Sequence, residues 1–323
     1  MNKFIKALSF IFIVSTLIML AGRNHLILGT FLIISRYLLI LIFVILIYQS
    51  IKKEFFKIKK YLVITIGLLF IESAYVKFNT ANFNLNTKSA NKQKLSIISY
   101  NIYFKNKNRR SSLNLIKSKK ADIVFLQEVT PKWNNSLNAN LNYPHKITKA
   151  LNGTHGISVY AKHPIKLIQY INNDYGLPIA QIIELNIKGK NILLCNTHLA
   201  SPAKAVENPE YFLTYYFENY KQRKKQYNKI ESYINSIENN YAEILFIGDL
   251  NTTEYEPLFR DIMYDWQNTS KNFFSKSFPN SSKLDPVINL DYILFRKKAE
   301  IVQYEVLKGG SSDHSAIYSE IQF

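Results

Sequence analysis

The chain has 323 residues, 47% of them hydrophobic, which is enough for one large domain or two ordinary ones with a packed core and excludes a disordered or fibrous chain. The single cysteine, Cys195, excludes an internal disulfide and a cysteine-based metal cluster. The formal net charge of +18 favours an anionic partner such as nucleic acid or a phospholipid surface, although a general lysine and asparagine bias explains the charge almost as well.

Three apolar stretches lie within residues 1–76. Residues 4–20 and 26–48 are long enough to cross a hydrocarbon core as helices, and residues 61–75 form a shorter third stretch. A cleaved signal peptide is the alternative interpretation of the first stretch. A second apolar stretch follows it closely, which favours retained helices. We therefore predict an N-terminal transmembrane helical segment.

The distribution of basic residues predicts the side of the membrane on which the rest of the chain lies. Seven lysines flank the N-terminus and the 49–60 loop, against five basic residues on the other side, and the rule has most force in that short loop. We therefore expect a multi-pass protein of the cell membrane whose chain beyond residue 76 is extracytoplasmic. If the third stretch does not span the bilayer, the orientation reverses.

A polar linker and one soluble domain are predicted after the apolar stretches. Residues 77–94 are rich in Asn, Lys, Ser and Thr and show no hydrophobic periodicity, which is typical of a linker. Residues 95–323 form the predicted soluble domain. The positive charge persists beyond residue 76, because residues 77–323 hold 32 Lys and Arg against 21 Asp and Glu, a net charge of +11.

The predicted soluble domain contains a series of short, β-rich segments, each of which ends in or borders polar residues. The hydrophobic periodicity of a helix occurs over residues 109–120 and 209–239, where we predict helices. Many strands with few helices indicate sheets packed face to face with helices outside them. The predicted strands are residues 95–100, 122–126, 157–161, 180–187, 191–196, 243–247, 291–295 and 315–321.

The polar residues at the strand ends are those that a phosphoester hydrolase using a hard divalent cation needs. Mg²⁺ prefers oxygen ligands and needs few protein carboxylates. A further carboxylate must orient the attacking water, while amide and imidazole groups stabilise negative charge on phosphoryl oxygens. Each residue alone has a plain structural explanation, such as a turn or a helix-starting charge, so the prediction depends on the set. Its members are Asn101, Glu128, His198, Asp249, Asn251, Asp291, Asp313 and His314.

In this order the set resembles the endonuclease/exonuclease/phosphatase family, which includes abasic-site endonucleases, secreted nucleases, Mg²⁺-dependent sphingomyelinases and inositol-polyphosphate phosphatases. The resemblance covers residues 95–323. The motifs that carry it are Ser-Tyr-Asn101, Leu-Gln-Glu128, Gly156-Ile-Ser158, Asn-Thr-His198-Leu, Gly-Asp249-Leu-Asn251, Leu-Asp291-Tyr-Ile and Ser-Asp313-His314-Ser.

The resemblance implies an α/β fold, a four-layer α/β sandwich with two central mixed β-sheets and the site at one edge. It implies that Asn101 and Glu128 bind Mg²⁺, with Asp313 as a weaker candidate ligand, and Mn²⁺ would also fit. In the abasic-endonuclease branch an acid often stands two places after the first Asn. Here Tyr103 occupies that position, which counts against a DNA-repair role and leaves open whether a second metal binds.

The remaining site residues take their expected roles from the same resemblance. It implies that Asp249 orients the attacking water and that Asn251 binds the phosphate. It also implies that His198 and His314 contact phosphoryl oxygens. Asp291 would pair with His314.

The expected substrate follows from combining the domain with the apolar stretches. Together they resemble a membrane-anchored subgroup of the family that includes proteins associated with glycopeptide-antibiotic resistance. Because a membrane anchor concentrates the enzyme on substrates in the bilayer, we expect hydrolysis of a phosphorylated lipid or polyprenyl pyrophosphate. A nuclease acting on nucleic acid is the second hypothesis, and a catalytically inactive binding scaffold is the third. No protein partner is predicted.

An aromatic segment after the fifth predicted strand has two interpretations. Residues 211–220 contain six aromatic side chains. Positions 212, 216 and 220 have the spacing of a helical stripe that faces a core, which we favour. The alternative is contact with the membrane interface, where tyrosine is enriched.

Overall fold

The computed structural model describes residues 93–270, 275–281 and 286–323. The predicted transmembrane segment, and the linker up to residue 92, lie outside the described residues. Within the described residues, no helix combines the length and the apolarity needed to cross a bilayer.

The chain divides into two compact units. The first unit comprises Met1–Ala81 and Thr253–Tyr264, and of it only the second segment is described. The second unit comprises Asn82–Thr252 and Asp265–Phe323 and contains both sheets. The helices of the described residues are α1 (Arg109–Ser118), α2 (Pro131–Asn140), α3 (Ala203–Glu207), α4 (Phe212–Ile237) and α5 (Pro257–Asp265).

Two mixed six-stranded sheets form the second unit. The first has the order β11-β12-β1-β2-β4-β3, and the second has the order β5-β6-β7-β8-β10-β9. The strands are β1 (Lys94–Asn101), β2 (Ile123–Gln127), β3 (His145–Lys149), β4 (Ile157–Ala161), β5 (Ile165–Asn172), β6 (Pro178–Ile187), β7 (Lys190–His198), β8 (Glu243–Asp249), β9 (Gln267–Asn268), β10 (Asp291–Phe295), β11 (Glu300–Leu307) and β12 (Ala316–Gln322).

The sheets pack face to face through one core and carry helices on their outer faces. Side chains of both sheets, such as Phe125 and Leu245, share the central cluster. Helices α1 and α2 cover the outer face of the first sheet, where Trp133 is fully buried. Helix α4 covers the second sheet, with the Tyr227 ring 6.0 Å from the Phe246 ring. This is the α/β sandwich that the strand pattern predicts.

Strand direction brings the polar strand ends together at one end of the sandwich. Strands β1 and β2 are parallel, as are β7 and β8, so each pair ends at the same level. In β7 and β8, His198 lies beside Asp249. Strand β10 runs antiparallel to β8 and begins there, with Asp291 opposite Asp249. We call this end of the two sheets the site end.

The central strands match the sequence predictions closely, whereas four edge strands are absent from them. Strands β3, β5, β9 and β11 lie at sheet edges. Strand β3 has no fully buried residue, and β5 has one. An edge strand buries fewer side chains, so its apolar alternation is weak. Helix α2 is missed for a similar reason, because it buries only Trp133 and Leu137.

Candidate active site

Asn101, the last residue of β1, connects the two sheets at the site end. Its amide nitrogen Nδ2 donates to Glu128 Oε1 at 3.2 Å and to Asp249 Oδ2 at 3.0 Å. The backbone N–H of Tyr103 donates to Asn101 Oδ1 at 3.1 Å. Asn101 therefore fixes carboxylates from both sheets relative to each other.

Glu128 follows β2 in a left-handed backbone conformation. Its φ of 62° and the φ of 58° at Tyr103 are uncommon for residues with a side chain, and such positions concentrate at functional sites. The backbone N–H of Phe104 donates to Glu128 Oε2 at 2.9 Å. The carboxylate is thus held by a side-chain amide on one oxygen and a backbone amide on the other.

Asp249, the last residue of β8, is buried at the centre of the cluster. Its Oδ1 accepts the backbone N–H of Asn251 at 2.9 Å. Burial raises the pKa of its carboxyl group, although the nearby His314 and His198 act in the opposite direction. Asn251, with a φ of 48°, donates from Nδ2 to the Leu199 carbonyl at 2.9 Å. One amide hydrogen of Asn251 remains for a ligand.

His198, the last residue of β7, presents its Nε2 to two carboxylates. Its Nδ1 lies 3.0 Å from the Thr154 carbonyl oxygen. Because a carbonyl oxygen only accepts, Nδ1 carries the hydrogen. Nε2 lies 3.5 Å from Asp249 Oδ2 and 3.9 Å from Glu128 Oε1.

His314 and Asp291 form a buried ion pair beside Asp249. The distance from His314 Nδ1 to Asp291 Oδ2 is 2.8 Å, and His314 Nε2 lies 3.7 Å from Asp249 Oδ2. Burial alone would lower the pKa of His314, but the carboxylates of Asp291 and Asp249 outweigh burial and raise it to about 10. The imidazole is therefore cationic at neutral pH.

Asp313 is the one predicted site residue whose side chain does not join this network. Its Oδ1 lies 3.3 Å from Ser312 Oγ, and no hydrogen bond among the described residues links it to the other seven. Burial raises the pKa of its carboxyl group, and the nearby charge of Glu128 adds to that increase. Asp313 thus lies near Glu128 without touching it.

Two donor sets at the site could bind a metal ion. Glu128 and Asn101 can supply an oxygen-only set of the kind that Mg²⁺ prefers once the Asn101 amide turns its oxygen, which accepts from Tyr103 here, towards Glu128 in place of Nδ2. No lysine or arginine of the described part of the chain pairs with Glu128 or Asp249, so a cation would relieve the repulsion between these carboxylates. A second set comprises Asp249, Asp291 and His314, whose ligand atoms lie within 4.8 Å of one another. There, Asp291 Oδ1 is buried and has no partner among the described residues.

Several residues that support the site are absent from the sequence predictions. The backbone groups of Phe104 and Thr154 leave no sequence signal, since any residue supplies them. Ser312 Oγ, which donates to the Asn101 carbonyl at 2.7 Å and accepts the His314 backbone N–H at 3.2 Å, stands directly before the Asp-His pair and could have been noticed.

Asn280 supports the Asp313-His314 loop and was also not predicted. Its Nδ2 lies 3.0 Å from the Ser312 carbonyl, 3.3 Å from the His314 carbonyl and 3.4 Å from the Gly309 carbonyl. Its backbone N–H donates to the Asp313 carbonyl at 2.6 Å. Because Asn280 lies 29 to 34 residues from these three partners along the chain, only the fold reveals the connection.

The fold and the buried carboxylate and histidine cluster are those of a phosphoester hydrolase that depends on a divalent metal. Residues 98–314 match the model of the Endonuclease/Exonuclease/phosphatase family, and the chain belongs to that family. A search of curated proteins finds none that matches.

Solved structures share the fold at low sequence identity. A conserved protein of unknown function from Enterococcus faecalis is 17% identical, with a TM-score of 0.54 over 70% of this chain and 99% of that one. An endonuclease/exonuclease/phosphatase family protein from Bacteroides thetaiotaomicron is 13% identical, with a TM-score of 0.55 over 72% and 99%. TDP2 from D. rerio, complexed with a single-strand DNA product, is 17% identical, with a TM-score of 0.53 over 71% and 99%. At this identity the likeness supports the fold alone.

Proposed function

We propose that the protein is a membrane-anchored, Mg²⁺-dependent hydrolase that cleaves a phosphoester or pyrophosphate on a lipid headgroup at the extracytoplasmic face. The observation that carries the hydrolytic part is the convergence of Asn101, Glu128 and Asp249 with the two histidines in one buried cluster. The lipid part rests on the apolar stretches of residues 1–76.

Asn101 and Glu128 would hold the metal, with Asp313 as a weaker candidate ligand. A bound Mg²⁺ supplies positive charge to the phosphoryl oxygens. We prefer this set to the one containing His314, because His314 Nδ1 is already engaged by Asp291 and the histidine is cationic. A cationic imidazole cannot ligate a metal.

Different side chains accept the proton and stabilise the negative charge during hydrolysis. Asp249 accepts a proton from the attacking water, a role helped by burial that raises its pKa. The water oxygen forms the new bond to phosphorus as the bond to the leaving oxygen breaks, and that oxygen takes a proton from solvent. The cationic His314 stabilises negative charge on a phosphoryl oxygen, and His198 does so when its Nε2 also carries a hydrogen. The second amide hydrogen of Asn251 binds the phosphate.

A nuclease remains the rival because two observations favour it. Residues 77–323 carry a net charge of +11, which suits a polyanion. A structurally similar protein, TDP2 from D. rerio, is described in complex with a single-strand DNA product.

One comparison of rates separates the two functions. The full-length protein in lipid vesicles is assayed with Mg²⁺ on phospholipids, a polyprenyl pyrophosphate and single-stranded DNA, with Glu128→Gln as the inactive control. We expect Mg²⁺-dependent release from a lipid substrate that exceeds DNA cleavage and disappears in the variant. Faster DNA cleavage that also needs Glu128 would replace the lipid proposal with the nuclease.

A further inference from the structure

Exposed apolar side chains concentrate at the site end of the sandwich. Val206, Tyr211 and Leu213 are 66%, 56% and 57% exposed and follow His198 closely in the chain. Tyr175, which is 83% exposed, lies in the turn before β6, and β6 begins at the site end because Ala180 pairs with Thr197. Large apolar groups that face water together mark interaction surfaces.

Three of these side chains belong to a projection that we call the tip, residues 203–217. Helix α4 connects the end of β7 to the start of β8 and so runs back along the sheet. Its Gln226 side chain accepts the backbone N–H of Ala200, just beyond β7, at 2.8 Å. At the far end, Asn235 accepts from Arg296, which follows β10. The helix starts at Phe212, fourteen residues before Gln226, so roughly 20 Å of helix at 1.5 Å per residue precedes the contact with Ala200.

The tip has its own internal packing, which keeps its apolar side chains outward. The Phe212 and Tyr216 rings are stacked at 5.6 Å, and Tyr216 is buried, so the predicted helical stripe is partly formed. Lys204 Nζ lies 4.0 Å from the Tyr215 ring centroid. These contacts occupy the inner aromatic residues and leave Leu213 and its exposed neighbours facing solvent.

The position of the linker leaves room for a bilayer to cover the tip. Strand β1 begins at Lys94, at the end of the sandwich opposite the site, because Asn101 lies at the site end. A linker of residues 77–93 spans at most about 60 Å when extended, roughly twice the length of the eight-residue β1. A linker of this length allows the site end to face a bilayer but does not force it to do so. A second attachment at the site end is needed.

We propose that the tip inserts Val206, Tyr211 and Leu213 into the headgroup region of a lipid bilayer and thereby holds the site end against it. Tyrosine and leucine beside a lysine are typical of such interfacial contacts. The proposal deepens the proposed function, on which its consequence for lipid substrates rests, because it places the site over the phosphates of the membrane.

The contact is tested by fluorescence quenching in vesicles. Leu213→Trp is introduced into the full-length protein, which is reconstituted in phosphatidylglycerol and phosphatidylcholine with and without brominated acyl chains. The native Trp133 and Trp266 are fully buried and supply a constant background. The matched control is Val302→Trp on β11, 43% exposed and near the end opposite the site, since Ile301 pairs with Ile321. We expect bromine to quench about half of the emission added at position 213 and little at position 302.

Activity provides the second measurement. In the variant carrying Val206→Ser, Tyr211→Ser and Leu213→Ser, hydrolysis of a vesicle-borne phospholipid should fall roughly tenfold while that of a soluble phosphodiester is unchanged. Equal quenching at positions 213 and 302 overturns the contact, even if lipids are hydrolysed. Quenching at 213 without hydrolysis of any lipid supports the contact and rejects the proposed function. Disulfide cross-linking of two Leu213→Cys chains without quenching of the tryptophan variant would make the tip a dimer surface and overturn the proposal.

Discussion

Replacing Asp291 with asparagine tests whether a buried ion pair holds His314 in the candidate site. The substitution keeps the size of the side chain and removes its charge. His314 Nδ1 lies 2.8 Å from Asp291 Oδ2, and the histidine and aspartate side chains are 7% and 0% exposed. The variant therefore leaves a buried imidazole without its closest counter-charge.

The pKa of His314 gives the size of the effect. It rises from an ordinary 6.5 to about 10, which corresponds to about 5 kcal/mol at 1.36 kcal/mol per pKa unit. Removing one partner of a buried ion pair typically lowers the free energy of unfolding by about 3–5 kcal/mol, because the other charge stays buried and unpaired. The two figures are of the same order, although Asp249 shares in the rise of the His314 pKa. We expect Asp291→Asn to lower the free energy of unfolding by about 3–5 kcal/mol.

The sign of the pH dependence follows from the raised pKa. The stability that His314 contributes is fully present below the unfolded pKa of 6.5 and is lost as pH rises through about 10. The deficit of the variant should therefore be largest near pH 6 and shrink towards pH 10.

The assay is thermal unfolding of the full-length protein in detergent with EDTA, comparing Asp291→Asn, His314→Asn and the double variant. We expect a drop in Tm of roughly 10 °C near pH 6 for the first variant and a double variant far less destabilised than the sum of the two. The matched control is Asp174→Asn, whose carboxylate also lies 2.7 Å from a cation, Lys225, but is exposed. Its Tm should not change. Additive single effects, or a deficit that grows towards pH 10, would refute the buried-pair reasoning.

The remaining predictions concern the metal and the backbone around the site. Glu128→Gln should lower kcat by about 10³-fold or more without lowering Tm, and near-normal turnover would reject Glu128 as a ligand. EDTA should abolish hydrolysis and Mg²⁺ restore it, so activity that persists after dialysis against chelator contradicts a metal-dependent step. Gly248→Ala places a methyl group 1.9 Å from the Thr197 carbonyl at a φ of +138° and should cost about 3 kcal/mol or more in thermal unfolding; an unchanged Tm would contradict the close approach of β7 and β8. Asn280→Ala removes the donor that holds three carbonyls of the His314 loop and should lower kcat roughly tenfold through loss of positioning; an unaltered kcat would show that the loop holds its own shape.

The central strands and the site could be predicted because buried apolar strands end in polar or charged residues at the site end. Strand β8 is buried throughout and ends in Asp249, and a fully buried strand has no packing reason to end in a carboxylate. The same conflict occurs at Asn101 and His198, which end β1 and β7. Residues that burial alone does not explain therefore indicate function.

A buried acidic side chain is not by itself a sign of the site, as Glu243 shows. This glutamate begins β8 and is fully buried, like Asp249 at the other end of the strand. Its two oxygens accept backbone N–H groups of residues 296–299, which fixes the turn after β10. The two acids are chemically alike, and only their positions at opposite ends of the strand separate a turn support from a residue of the candidate site.

The supporting contacts escaped prediction because they are made by backbone groups or by residues distant in the chain. Phe104 and Thr154 act through main-chain atoms, which no residue type reveals. The edge strands were missed because their side chains are half exposed, so neither burial nor alternation is strong. Sequence patterns thus predict the strands that are fully buried and miss those that are partly exposed to solvent.

The geometry of Glu128 and Asp249 explains why a bound cation would stabilise the site. The same Asn101 amide nitrogen contacts one oxygen of each carboxylate, and His198 Nε2 faces both. Two anions held this close repel each other, and burial raises the pKa of Asp249 by disfavouring its charge. The surrounding backbone donors maintain this arrangement at the expense of stability. A metal that binds only the folded site recovers part of that stability, so the strain that prepares the carboxylates for hydrolysis is also what favours loading of the metal.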